Sequence, residues 1–124
     1  MKLETFFEKF DQFANAPDAV AKMRELGITM AVATDFNPGS CTLLSQSLAL
    51  QLACIYYGLT IVEALRGVTV NAARALKLES ETGTLEPGRW ADIVVTDVPD
   101  YRHLAYRFGH NPVRLTIRRG RVLS

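Results

Sequence analysis

The run of roughly eighteen apolar residues that a membrane-spanning helix needs occurs nowhere in the chain, which excludes such a span. Cysteine is scarce. Cys41 and Cys54 show no metal-ligand spacing and are too few for a disulfide framework, so they read as cytosolic thiols. Only two histidines occur, His103 and His110, in a polar stretch and a turn near the C-terminus, and neither reads as a metal ligand. Charge of one sign is lacking too. Fourteen basic residues against thirteen acidic ones leave +1, so nothing in the overall balance draws the chain to nucleic acid or anionic lipid. The one local excess, Arg114, Arg118, Arg119 and Arg121, reads as protection of a short terminal strand. The N-terminal "MKLETFFEKF" has charges spread through it and no apolar core of a signal peptide, so a cytoplasmic location is expected. Repeats and low-complexity segments are absent.

What remains is the composition of one globular domain: 124 residues, 48% hydrophobic and 22% charged. Phe6, Phe7, Phe10 and Phe13 recur at helical spacing with charges between them, predicting an amphipathic first helix. "PDAVAKMRELG" places Pro17 in a first turn, an acid at Asp18 and a stop at Gly27, which predicts a second helix over about 17–26. "ITMAVAT" follows as a short apolar run with β-branched residues, the pattern of a strand buried on both faces. "LLSQSLALQLACIYYG" is long enough for about four helical turns. Thr60 and Glu63 have the spacing of a capping box and open two short helices, about 60–66 and 69–77. From Gly83 the pattern turns to β-structure: a turn at Glu86-Pro87-Gly88, alternation into Ile93-Val94-Val95, and a hairpin at Gly120 in "VRLTIRRGRVLS". "DYRHLAYRF" reads as a short surface helix. A single parallel-type strand makes no sheet by itself, so the chain has the look of a cut piece.

The chemistry-bearing stretch is "ATDFNPGS", where Asp35 sits at the point at which the apolar run becomes a loop. On the residues alone, an Asp before Asn37-Pro38-Gly39 is a turn former whose carboxylate bonds nearby amides, and Ser40 or Cys41 would cap the next helix. Cys41 has no base partner that would make it a nucleophile.

The order of motifs carries more. "VATDFNPGS", "LTIVEALRGVTVNAARALKL", "GTLEPGRWADIVVTD" and "VRLTIRRGRVL" together resemble the C-terminal end of the amidohydrolase superfamily, metal-dependent (β/α)8-barrel hydrolases with a small flanking β-domain. The "DFNPGS" loop and "LAYRFGHNPV" look most like the imidazolonepropionase branch, which hydrolyses 4-imidazolone-5-propanoate to N-formimidoyl-L-glutamate in histidine degradation. The resemblance implies an α/β fold: the last strand and helices of a barrel over residues 1–80, then β-strands of the flanking domain over 81–124. Barrel enzymes build their sites at the C-terminal ends of strands. The resemblance therefore implies that Asp35 is a ligand of one zinc or iron ion and assists as general base, and that Asn37, Gly39 and Ser40 contact a small-molecule substrate.

The family's His-x-His pair and its middle-strand histidine do not occur in this sequence, nor do the arginine, tyrosine and histidine expected to hold the substrate. A catalytic zinc takes about three protein ligands and a water, and Asp35 is one. The isolated chain is thus expected to hold metal weakly, to be inactive, and to self-associate or dock on the missing remainder of the barrel. Other amidohydrolases of the dihydroorotase, hydantoinase or deaminase kinds share several of these elements, and an inactive remnant or interaction module fits them as well.

Overall fold

The computed structural model describes residues 16–123, and the Phe-bearing first helix expected from the sequence lies outside them. The elements run α1 (Ala16–Glu25), α2 (Gln46–Tyr56), α3 (Ile61–Val68), α4 (Val70–Ala75), β1 (Ile93–Thr96), α5 (His103–Tyr106), β2 (Val113–Arg118) and β3 (Arg121–Val122).

Local chemistry explains most boundaries. Helix α1 begins with Pro17 in its first turn, and Gly27 follows its end at φ 66. The α2 cap is Ser45, whose side chain accepts from the Leu48 N–H, so neither Ser40 nor Cys41 caps it. With its start moved to Gln46, the helix has eleven residues, one turn fewer than expected. Helix α3 opens on the full capping box: Thr60 accepts from the Glu63 amide while the Glu63 carboxylate accepts from the Thr60 amide.

Helices α1 to α3 meet over a small core of Val20, Leu50, Ala53, Leu59 and Ala64, with Met30, Val32 and Tyr57 packed against it. Gly67 in α3 lets that helix touch the 28–34 segment. A Cβ there would stand 2.7 Å from Val32 Cγ2, and the Gly67 carbonyl accepts from the Val32 N–H at 3.0 Å.

"ITMAVAT" is the one element the structure corrects. It is not a strand, because a strand requires a neighbouring strand to pair with and residues 28–34 have none among the described residues. Exposure still alternates along it, with Thr29, Ala31 and Ala33 open and Met30, Val32 and Thr34 half-buried. That period of two is the signature of extended chain.

The C-terminal part is a three-stranded antiparallel sheet of order β1-β2-β3. Ile93 pairs with Ile117 and Val95 with Leu115, and the register shifts between Val95 and Thr96. The β2–β3 turn holds Arg119 at φ 48 and Gly120 at φ 77, the two positive φ angles of a type I′ hairpin. The left-handed arginine is held by its N–H donating to Asp92 at 2.6 Å and by its guanidinium lying 4.1 Å over the Trp90 ring.

Gln51 joins the two parts. Its side chain, 1% exposed, donates to the Leu104 and Arg107 carbonyls and accepts from the Gly109 N–H, each at 2.9 Å. A buried amide is tolerated because its donors and acceptor are all used, and they fix the α5 region on α2.

Candidate functional site

Asp35 ends the extended segment at φ 52, a left-handed conformation that costs a non-glycine residue energy and that Asp and Asn adopt most readily. The loop that follows supplies the compensation. Asn37 Oδ1 accepts from the Gly39 N–H at 3.0 Å, the Ser40 N–H at 2.8 Å and the Ser40 hydroxyl at 3.1 Å. Its Nδ2 donates to the Asp35 carbonyl at 2.8 Å, and its backbone N–H donates to the Cys41 carbonyl at 2.7 Å. One side chain thus ties Asp35, Gly39 and Ser40 into a closed turn. The asparagine is part of the loop's frame, and one of its two amide protons remains without an acceptor among the described residues.

The Asp35 carboxylate is exposed and makes no hydrogen bond with another described residue, so the turn-former reading, in which the carboxylate bonds nearby amides, does not describe it. It shares the parity of Thr29, Ala31 and Ala33, the small side chains that turn away from the helices. Asp35 and Ser40 stand at the rim of an apolar groove of about 660 Å³, walled by Met23, Met30, Leu52 and Tyr57. A second apolar opening of about 640 Å³, between the helices and the sheet, contains neither residue. Cys41 is half-buried, and its Sγ donates to the Thr34 carbonyl at 3.1 Å, which gives the thiol a structural use.

An uncommitted carboxylate in a strained, pre-shaped loop fits one ligand position of a divalent or trivalent metal. The donor set of this chain goes no further, since no group of three or more His, Cys, Asp or Glu residues comes together among the described residues. His103 and His110 lie in the α5 region, far along the chain from the loop, and His103 packs edge-on against Tyr106.

The segment that delivers Asp35 is held by side chains that the sequence reading missed. Asn71 Nδ2 donates to the Met30 carbonyl and Gln46 Nε2 to the Val32 carbonyl, both at 2.9 Å. The available signal was a carboxamide at the start of each apolar helical stretch, which reads as ordinary surface polarity until the folded partner is known. Further out, Arg24 Nε and its second guanidinium nitrogen grip Glu63 at 2.7 and 2.9 Å, locking α1 to α3. This ion pair, with the Thr60 N–H and hydroxyl, holds the Glu63 carboxyl down at about 2. Burial pushes the Cys54 thiol up, away from reactivity.

The chain is similar to several imidazolonepropionases. It is 43% identical over 110 residues to that of Symbiobacterium thermophilum, covering 88% of this chain and 26% of the relative. It is 48% identical over 101 residues to that of Sphingopyxis alaskensis, covering 82% and 25%. The chain therefore spans about a quarter of the length of the curated relatives it matches. Among solved structures it superposes on an amidohydrolase from Thermotoga maritima with a TM-score of 0.67 at 25% identity, over 87% of this chain and 26% of that one. A putative prolidase from Bifidobacterium longum gives 0.66 at 30% identity, over 86% and 26%. With residues 14–123 matching the model of the amidohydrolase family, the chain belongs to that family.

Proposed function

We propose that this chain is the part of an imidazolonepropionase that carries one metal ligand and a substrate-contacting loop, residues 1–80 contributing the end of the barrel and 81–124 the flanking β-domain. The observation that supports this reading best is the joint one: identities of 41–48% to imidazolonepropionases, and an Asp35 carboxylate left uncommitted at the head of a pre-formed loop. The whole enzyme would be a metal-dependent hydrolase of a cyclic amide C–N bond acting on 4-imidazolone-5-propanoate, in the cytoplasm, where the free thiols Cys41 and Cys54 are stable.

Asp35 would hold zinc or iron, and both accept oxygen ligands; when bound, such an ion polarises the ring carbonyl and its water. The steps assigned to this chain are proton handling and positioning. One Asp35 carboxylate oxygen takes a proton from water as the water oxygen adds to the ring carbonyl carbon. The carboxylic acid so formed returns the proton to the ring nitrogen as the C–N bond breaks, leaving the new carboxyl group of N-formimidoyl-L-glutamate, which ionises by releasing its own proton to solvent. Asn37 offers its remaining amide proton to the substrate, the Gly39 backbone lies open to a close approach, and the Ser40 hydroxyl retains lone pairs. Small-molecule substrate and the remainder of the barrel are the partners this reading calls for.

Residues 14–123 placed into the Symbiobacterium thermophilum enzyme over the matched region provide the test. The chimera is expected to hydrolyse imidazolonepropionate, and Asp35→Asn in it to lower kcat by about 100-fold or more. A folded, metal-loaded chimera without activity, or full activity with Asn at position 35, would overturn the assignment.

A further inference from the structure

The β2–β3 hairpin sets two arginines directly against each other. Residues 113–124 hold four arginines and no aspartate or glutamate, in a chain whose overall balance is only +1. Arg118 of β2 is the register partner of Arg121 of β3, so their Cα atoms lie about 5 Å apart and both side chains leave the same face of the sheet. Like charges so placed weaken a sheet. Both residues are exposed, and neither makes an ion pair with another described residue. Asp92, which touches the turn, uses Oδ1 to accept from the Arg119 N–H.

Protection of a sheet edge does not account for the pair. A cation on β3 guards that edge by itself, but Arg118 is on the middle strand of the order β1-β2-β3. Nor is the tip loose. The Arg119 N–H donates to Asp92 at 2.6 Å, the Gly120 N–H donates to the Ala91 carbonyl at 2.9 Å, and the Arg119 guanidinium lies 4.1 Å from the centre of the Trp90 ring. These contacts fix the turn on the 90–92 segment, so the two flanking arginines are held at a set spacing before anything binds.

We propose that Arg118 and Arg121 form a binding site for a dianionic phosphoryl group, with one guanidinium on each side of it. Charge and shape select this class. A carboxylate offers two oxygens and one charge, which a single guanidinium fork takes up. A terminal phosphate offers three or more oxygens and close to two charges, enough for two forks at once. Arginine suits such a site better than lysine, and all four basic residues of 113–124 are arginine. The bound anion replaces repulsion between the two side chains with attraction to both. Free inorganic phosphate and the terminal phosphate of a small phosphomonoester share this chemistry, whereas a phosphodiester, with one charge and two free oxygens, does not. The site involves neither Asp35 nor its loop and stands independently of the hydrolase reading.

NMR titration of the full chain at constant ionic strength and about pH 7.5, where phosphate monoesters are largely dianionic, tests the site through the Nε–H signals of Arg118 and Arg121. The probes are inorganic phosphate, phenyl phosphate and dimethyl phosphate, with sodium chloride as the control. Saturable shifts are expected with inorganic phosphate, and Arg118→Gln and Arg121→Gln should each weaken binding by about fivefold or more. Arg114→Gln removes the same charge from the same strand and should change it by less than about twofold. Saturation by phenyl phosphate as well assigns the site to phosphorylated small molecules, and saturation by inorganic phosphate alone assigns it to the free ion; either supports the proposal. Shifts that never saturate, or that chloride reproduces, would overturn it. So would equal weakening by Arg114→Gln and Arg118→Gln, which marks diffuse charge, or dimethyl phosphate binding as tightly as inorganic phosphate.

Discussion

Gly67 and Val32 meet where helix α3 crosses the segment leading to Asp35: a Cβ at position 67 would lie 2.7 Å from Val32 Cγ2 and 3.3 Å from its Cβ. A contact below 3 Å forces movement, and the Val32 N–H is bonded to the Gly67 carbonyl across the same point. Alanine gains about 0.5–1 kcal/mol of helix propensity over glycine, while overpacking costs about 1–3 kcal/mol, so the clash prevails. Gly67→Ala is therefore expected to lower stability by about 1–2 kcal/mol in urea unfolding. Val32→Ala in the same chain should recover part of the loss, and a double-mutant cycle measures that coupling.

Gln51 predicts a larger effect. Replacing it with Leu keeps its volume but strips partners from the Leu104 and Arg107 carbonyls and from the Gly109 N–H. Buried groups left unpaired cost about 1–3 kcal/mol each, with partial relief where water enters, so a loss of about 2–4 kcal/mol is expected. Amide exchange should accelerate at Gly109 before it does within α2.

These two residues show what the sequence discloses and what it hides. Thr60 and Glu63 are three positions apart, and their capping box could be read directly because its partners are local. The hairpin at Gly120 and the strand at Ile93–Thr96 were legible for the same reason. Gln51 finds its partners more than fifty positions away, Asn71 finds Met30 forty-one away, and nothing in a local pattern announces either. "ITMAVAT" failed differently. Its composition gave an apolar, extended segment buried on both faces; the segment is extended, but Thr29, Ala31 and Ala33 are exposed, and being a strand depends on a neighbouring strand, which no described residue provides. The Asp35 loop was legible as a turn, while the exposure of its carboxylate and the threefold use of Asn37 Oδ1 were properties of the folded chain.

The Arg24–Glu63 pair sets an acid limit. The Glu63 carboxyl sits at about 2 against an ordinary 4.5, chiefly because the Arg24 guanidinium bonds it, with the Thr60 N–H next. A depressed carboxyl contributes stability that is complete above the unfolded value and is lost as pH falls through the folded one. Stability should thus decline between about pH 4.5 and 2. Arg24 is nearly half exposed, so solvent screening keeps the contribution modest. Glu63→Gln should be less stable at pH 7 and should lose this part of the pH dependence, as thermal unfolding across the range would record.

Asn37 separates frame from chemistry in the loop. Asn37→Ala removes the acceptor shared by Gly39 and Ser40 and the donor to the Asp35 carbonyl. Because the loop is largely exposed, water replaces much of what is lost, and global stability should fall by only about 0.5–1.5 kcal/mol. The local effect should be larger. The amides of Gly39 and Ser40 should exchange faster, and Asp35, released from the bond that holds its carbonyl, should leave φ 52 for ordinary extended backbone. Asn37→Asp discriminates between the two functions of the side chain: it keeps an acceptor for Gly39 and Ser40 but loses the donor to Asp35, and places a second carboxylate beside the first. Three-bond HN–Hα couplings at Asp35 and exchange rates at Gly39 and Ser40 report the halves separately. The aspartate variant should protect the two amides yet lose the left-handed coupling at Asp35. Loss of both, or of neither, would mean that the turn is set by Pro38 and the backbone bond from Asn37 to Cys41, with the asparagine amide following the loop instead of shaping it.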